Sequence, residues 1–189
     1  MAARTGNSPA TRRKAVSRGA PSPQPQSAAE PAVRYDVLRF KLPKPGKAKS
    51  FTVYFHADPM SRVEAIKSGI PATFVDEIAA EMGRPKEWLL PTLGLSAATF
   101  SRRKSEAKPL SKDESERVLG IARLVGQVEA MVEESGEPAG FNAARWVARW
   151  LDEPLAALGG RKPGALMDTA EGQAIVSNLL ARAQSGAYA

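Results

Sequence analysis

The residues best suited to bind a ligand lie in one short stretch of this 189-residue chain, where small and polar side chains are followed by a basic cluster. Basic groups bind phosphates, and small polar side chains at the front of a helix can reach base edges in the major groove of DNA. The predicted DNA contacts are Ser96, Ala97, Ala98, Thr99, Ser101, Arg102, Arg103 and Lys104. The alternative interpretation is an ordinary helical hairpin whose basic end is only solvated.

The residues around this stretch predict a helix, a three-residue turn and a second helix. Gly94 can adopt the left-handed backbone conformation that ends a helix, and Ser96 can cap the next one. We expect Leu95 and Phe100 to point inward. Further helices at 59–69 and from Pro71 to Gly83, each stopped by a glycine, complete a compact helix-turn-helix domain over residues 59–112.

Catalytic chemistry has little support in the composition. The chain has no cysteine and a single histidine, His56, which excludes thiolate sites, disulfides and multi-histidine metal sites. No paired carboxylates in an apolar setting suggest acid–base catalysis. We therefore expect no enzyme activity, no cofactor and no metal.

No apolar run approaches the roughly 20 residues needed to span a bilayer. The charged N-terminus is not followed by the apolar segment of a secretory signal. We expect a cytoplasmic protein with no membrane partner.

The net charge of +7 is unevenly distributed. Residues 1–50 contain 11 Lys and Arg against two acidic residues, and residues 84–112 contain seven against two. Residues 113–189, in contrast, contain seven basic and 11 acidic residues. Phosphate contacts are therefore expected in the first two regions and not in the third.

The N-terminal region divides into two parts. Residues 1–32 are rich in Ala, Ser, Pro and Arg, with too few large apolar side chains to form a core, and are predicted to be a disordered basic tail. They could touch DNA non-specifically or simply be solvated. Residues 33–58 predict a β-ribbon, with strands at 33–42 and 51–55 joined by a Pro/Gly turn.

The C-terminal half predicts helices only. Ser111 and Glu114 form a capping-box signature that opens a helix over residues 113–135, a length that suits a connector or a dimer face. Residues 136–189 form a second small domain. Its Trp146 and Trp150 lie four residues apart on one helical face, where we expect core packing rather than a ligand cage.

Two glycines and a threonine of this domain mark a turn and the start of a helix. Gly159 and Gly160 belong to a tight connection and do not match a phosphate-binding glycine pattern after a strand. Thr169 is expected to cap the final helix. The predicted fold is thus mainly α, a helix-turn-helix bundle plus a small helical C-terminal domain, with a short β-hairpin near the N-terminus.

Over residues 66–189 the chain resembles the Xre/MbcA/ParS family of antitoxins. The resemblance rests on Leu93 to Arg103, Leu110-Ser111, Trp150-Leu151, the turn from Leu158 to Pro163, Asp168-Thr169 and the tail from Gly186 to Ala189. Two departures concern the toxin-facing surface: residues 133–140 resemble an insertion, and Gly164 and Ala165 stand where the family tends to have larger side chains.

The resemblance implies a type II antitoxin. Such a protein blocks a RES-domain toxin that consumes NAD or uses it for ADP-ribosylation, and represses its own operon through the helix-turn-helix. We expect operator DNA and the cognate toxin as partners, a homodimer, and a higher-order complex with the toxin. The implied toxin-binding residues are Trp150, Gly160, Arg161, Gly186, Ala187, Tyr188 and Ala189. The alternative is a helix-turn-helix transcription regulator without a toxin partner.

Overall fold

The computed structural model describes residues 50–136 and 139–184. Their regular elements are helices, and no β-strand occurs among them. The eight α-helices are α1 (Thr52–His56), α2 (Pro59–Ser68), α3 (Thr73–Glu81), α4 (Lys86–Thr92), α5 (Ala97–Ser105), α6 (Lys112–Ser135), α7 (Ala143–Trp150) and α8 (Ala170–Gln184). Short 3-10 turns at Ala156–Leu158 and Pro163–Leu166 join α7 to α8. The mainly helical prediction is confirmed.

The predicted β-hairpin is not observed. Its first strand, at 33–42, and the disordered tail at 1–32 lie outside the described residues. The prediction of its second strand, at 51–55, is wrong: residues 52–55 belong to helix α1, Phe51 immediately precedes that helix, and His56 ends it.

The helical conformation of α1 follows from its packing against α6. The Glu129 carboxylate accepts hydrogen bonds from the Ser50 hydroxyl and the Thr52 backbone N–H, at 2.8 and 3.0 Å. Tyr54 is buried, with its ring centroid 5.4 Å from that of Phe74. Strand preference reflects how a side chain fits a pleated surface, so packing on a neighbouring helix overrides it here.

Helix α6 lies at the centre of the structure and is about 36 Å long. The predicted capping box is present: the Glu114 carboxylate accepts from the Ser111 backbone N–H at 2.7 Å, and the Ser111 hydroxyl accepts from the Glu114 N–H at 3.3 Å. Helices α1, α2, α7 and α8 all pack against α6. Its buried face, which includes Val118, Ile121 and Val125, therefore joins the two predicted domains in one core.

Two glycines of α6 allow neighbouring groups to approach closely. A Cβ atom added at Gly126 would lie 2.2 Å from the Phe51 carbonyl oxygen, so α1 could not keep its position. A Cβ added at Gly120 would lie 1.6 Å from the side-chain oxygen of Gln173, which belongs to α8. The first obstacle is backbone and the second is the end of a flexible side chain.

We expect Gly126→Ala to lower the free energy of unfolding by about 1–3 kcal/mol, because the clash with α1 outweighs the gain in helix propensity of about 1 kcal/mol. Denaturant unfolding measures this change. Gly120→Ala is the matched control and should cost less, since it displaces a side-chain amide, with its hydrogen bonds to the Arg117 and Met167 carbonyls, and no backbone. A Gly126→Ala variant as stable as the original chain would contradict the packing described.

Candidate functional site

Helices α4 and α5 form the predicted helix-turn-helix. Gly94 has φ +60°, and the Leu95 backbone N–H donates to the Leu90 carbonyl at 2.8 Å. The Ser96 hydroxyl caps α5 by accepting from the Thr99 N–H at 3.4 Å. Leu95 and Phe100 are buried, as the sequence predicts.

The front of α5 faces outward. Six of the eight predicted DNA contacts are exposed, and the other two, Thr99 and Arg103, are half-buried. The exposed set is Ser96, Ala97, Ala98, Ser101, Arg102 and Lys104. We call Ser96, Ala97, Ala98, Ser101 and Arg102 the reading face. It has the composition and exposure that a helix in the major groove requires.

The three basic residues of α5 differ in their surroundings. Arg103 forms an ion pair with Glu114, 3.2 Å from Nε to Oε2, and its Nη1 donates to the Pro109 carbonyl at 3.0 Å. Lys104 pairs with Asp76 at 2.8 Å. The Arg102 side chain has no such partner in the described part of the chain, so its guanidinium is free to bind a phosphate.

Arg103 and the capping box also affect the ionisation of Glu114. Burial alone would raise the pKa of this carboxyl, but hydrogen bonds from Ser111 and the charges of Arg103 and Arg117 hold the pKa below its usual value. The carboxylate thus fixes the start of α6 and the end of α5 together.

The predicted toxin-facing residues form two groups. Trp150 is half-buried and stacks on Trp146, with ring centroids 5.8 Å apart and planes inclined by 13°, and both rings pack against the core. Gly160 and Arg161 are exposed in the turn after α7. The tail, residues 186–189, lies outside the described residues.

The turn after α7 requires consecutive glycines. Gly159 and Gly160 have φ of +63° and +80°, a conformation that side chains with a Cβ rarely adopt. Leu155 closes the turn, since its N–H donates to the Arg161 carbonyl at 3.1 Å and its carbonyl accepts from the Gly160 N–H at 2.9 Å. The glycines therefore build a tight exposed turn.

An ion pair and a hydrogen bond at the end of α7 were not predicted from the sequence. The Asp152 carboxylate pairs with Arg84 at 2.8 Å and accepts from the Trp88 indole N–H at 3.3 Å. The Arg84 guanidinium also lies over the Trp88 ring, 5.3 Å from its centroid. These contacts attach α7 to the start of the helix-turn-helix. In sequence Asp152 signals only a helix end, because its partners lie more than 60 residues away.

A second contact joins the turn between α4 and α5 to the start of α8. A Cβ added at Gly94 would lie 3.1 Å from the Asp168 Cβ, and the Gly94 carbonyl accepts from Arg117 at 3.5 Å. Thr169 caps α8 by accepting from the Gly172 N–H at 3.0 Å, as predicted.

Over residues 50–136 and 139–184, no group of three or more His, Cys, Asp or Glu is arranged to hold a metal ion. In the same residues no helix is both long and apolar enough to cross a membrane.

Comparison with known proteins gives matches over both halves of this structure. The antitoxin Xre-like helix-turn-helix domain matches residues 61–123, and the antitoxin Xre/MbcA/ParS C-terminal toxin-binding domain matches residues 138–186. The "Prs ADP-ribosylating antitoxin" of Sphingobium sp. (strain YBL2) is 45% identical over 140 residues, which cover 74% of this chain and 88% of the relative. The chain belongs to the Xre/MbcA/ParS family of antitoxins.

Two more distant relatives carry the same type of name. "Antitoxin Xre" of Yersinia enterocolitica (strain NCTC 13174 / 8081) is 29% identical over 126 residues, 67% of this chain and 80% of the relative. "Antitoxin Xre" of Photorhabdus laumondii subsp. laumondii is 28% identical over 136 residues, 71% of this chain and 86% of the relative. The chain is thus an antitoxin of a toxin–antitoxin system, with a helix-turn-helix and a toxin-binding domain.

The boundaries of the two matched domains can be placed on the structure of the antitoxin. The first match runs from α2 into α6, and the second contains α7, both 3-10 turns and α8. The Arg84–Asp152–Trp88 network therefore joins the two matched domains, and so does the contact between Gly94 and Asp168.

We expect Glu114→Gln to destabilise the antitoxin by about 1–2 kcal/mol at pH 7, because a charged hydrogen-bond acceptor and an ion pair are lost. The folded pKa of Glu114 is lowered, so its stabilisation is complete above the unfolded pKa and is lost as the pH falls through the folded value. The difference between variant and original should therefore narrow as the pH falls below about 4.3, the usual value for Glu in an unfolded chain, and close in stronger acid. Thermal unfolding across pH measures it.

Glu116→Gln is the matched control for this test, since Glu116 is exposed on the same helix and forms no ion pair within the described residues. An equal loss of stability in both variants, or a gap that persists in acid, would show that the Glu114 carboxylate does not stabilise the junction of α5 and α6.

Proposed function

We propose that this antitoxin binds and blocks a RES-domain toxin that consumes NAD or uses it to ADP-ribosylate a target, and that it represses its own operon. The observation that carries the proposal is an exposed reading face on the same core as a toxin-binding domain. The Sphingobium relative, named an ADP-ribosylating antitoxin, supports the chemistry of the toxin. The antitoxin acts by binding, without catalysis, cofactor or metal, and acts in the cytoplasm, where its operator lies.

Operator recognition is proposed to need a homodimer. One short helix contacts few bases, and a dimer places two reading faces on paired half-sites. Within each protomer the eight residues predicted from the sequence remain the proposed DNA contacts. Arg102 is the first choice for a phosphate contact, since Arg103 and Lys104 are held in ion pairs.

Toxin binding is proposed to use three features. Two of them are described by the structure, the half-buried Trp150 beside Trp146 and the exposed turn containing Gly160 and Arg161, and the third is the tail from Gly186 to Ala189. Gly186, Ala187 and Ala189 are small enough to enter a narrow active site. A higher-order complex follows if each protomer of the dimer binds toxin.

Co-expression tests the proposal as a whole. The product of the neighbouring gene is produced with and without the antitoxin, and growth and co-purification are scored. Rescue of growth with co-elution supports the antitoxin–toxin pair. A harmless neighbour that does not bind would favour a transcription regulator without a toxin partner.

We expect Arg102→Ala to weaken binding to DNA from upstream of the antitoxin gene. Loss of one phosphate contact should reduce the salt slope of the binding constant by about 1 per bound protomer. Fluorescence anisotropy titrations at several salt concentrations measure both quantities. Lys67→Ala, which removes an exposed cation from α2, is the matched control and should leave them unchanged. An unaltered affinity and slope for Arg102→Ala would remove Arg102 from the interface.

Deletion of residues 186–189 should restore the growth defect caused by the toxin, since the tail is proposed to occupy the active site of the toxin. Deletion of residues 2–32 is the control at the other end of the chain and should leave growth protected. If the antitoxin without its last four residues still protects fully, the tail has no inhibitory role.

A further inference from the structure

Helix α7 carries a pair of arginines beside the helix-turn-helix. Arg145 and Arg149 line an open depression together with Met82, Gly83 and Arg84, which belong to the connection between α3 and α4. Met82 is buried beneath the depression, so the arginines form its exposed wall. The opposite side of α7, which includes Val147, is buried in the core.

Arg145 lies directly against this connection. A Cβ added at Gly83, where φ is +62°, would be 3.4 Å from the Arg145 Nε and within 3.8 Å of its Cγ and Cδ. These are ordinary van der Waals distances, so the Arg145 stem lies close beside the backbone at position 83. This contact holds a guanidinium of the toxin-binding domain beside the residues that lead into α4.

The charges of the depression are not balanced by the protein itself. Arg84 is paired with Asp152 at 2.8 Å. Arg145 and Arg149, in contrast, form no ion pair within residues 50–136 and 139–184. They lie four residues apart on one helix, where like charges repel each other. An anionic partner bound between the two arginines would relieve this repulsion and would be attracted by both charges.

The position of the pair indicates which polyanion it binds. In a helix-turn-helix the first helix crosses the DNA backbone while the second enters the major groove. The depression lies at the N-terminal end of α4, the first of these helices, and Arg84 and Lys86 lie at the same end. Planar guanidinium groups bind phosphate through two parallel hydrogen bonds.

We propose that Arg145 and Arg149 bind the phosphate backbone of DNA beside the N-terminal end of α4. The DNA interface then extends from the helix-turn-helix onto helix α7 of the toxin-binding domain. The sequence predicts no phosphate contact in residues 113–189, because the net charge of the whole segment is negative and does not show where two unpaired cations lie close together. The inference rests on the proposed operator binding and adds residues to it.

The test is a salt titration of full-length antitoxin against a fluorescent duplex of DNA from upstream of its gene. In the double variant Arg145→Gln/Arg149→Gln the salt slope should fall by about 1 for each arginine in each bound protomer. The charge-preserving variant Arg145→Lys/Arg149→Lys should retain most of the slope. Lys67→Gln/Lys162→Gln is the matched control, since it removes two exposed cations elsewhere and should leave the slope unchanged.

Arg149→Gln alone guards against an effect on folding, because Arg145 is the arginine that packs on Gly83. It should lower the slope by about 1 while the thermal melt stays that of the original chain. An unchanged slope in the double variant overturns the inference. If Arg102→Gln still lowers the slope in the same assay, the proposed DNA binding stands without α7.

Two other outcomes are also decisive. If the double variant binds DNA normally but no longer co-purifies with the toxin, the arginines contact an acidic surface of the toxin, and the inference is wrong. If neither the arginine pair nor Arg102 affects the slope, operator binding through this whole surface is wrong.

Discussion

The buried face of α6 is packed by α1, α2, α7 and α8, and the placement of both functional surfaces depends on this packing. Apolar side chains such as Ile121 and Val125 have no accessible surface there, and Gly126 lets the backbone of α1 lie against the helix. Removing buried apolar groups leaves cavities that a close-packed interior cannot fill, so such a face tolerates little change. A helix that connects two matched domains is thus also their common core.

Polar contacts around α6 fix the orientation of helices α5 and α7. Glu114 fixes the start of α6 and pairs with Arg103 of α5, so the reading helix is anchored at its C-terminal end. Asp152 ties α7 to Arg84 and Trp88, at the entry to the helix-turn-helix. Exposed ion pairs contribute little stability, but these partly buried ones fix orientation through several contacts each. The proposed DNA-binding and toxin-binding surfaces are therefore held in place by contacts around the same helix.

The sequence was most informative where structure depends on near neighbours. The caps Ser96, Ser111 and Thr169 and the inward positions of Leu95 and Phe100 follow from spacing within one or two turns of helix. These signals use local hydrogen bonds and helix periodicity, so they do not need the fold to be known. The mainly helical fold was predictable for the same reason.

Features that depend on distant residues were not predictable. Residues 51–55 have strand-forming side chains, yet packing on α6 and the Glu129 carboxylate favour a helix that begins at Thr52. The sequence does not distinguish the three cations of α5. In the structure two of them, Arg103 and Lys104, form ion pairs with Glu114 and Asp76, which belong to other helices. The partners of Asp152 lie 64 and 68 residues away along the chain.

The shared core is tested most directly by native-state hydrogen exchange of the full-length antitoxin in increasing denaturant. If α6 makes the two domains one cooperative unit, the most protected amides of α5, α6 and α7 should converge on the same free energy of opening. Separate values, with α7 and α8 opening while α5 and the first half of α6 stay protected, would contradict the account. The two surfaces would then belong to independent domains.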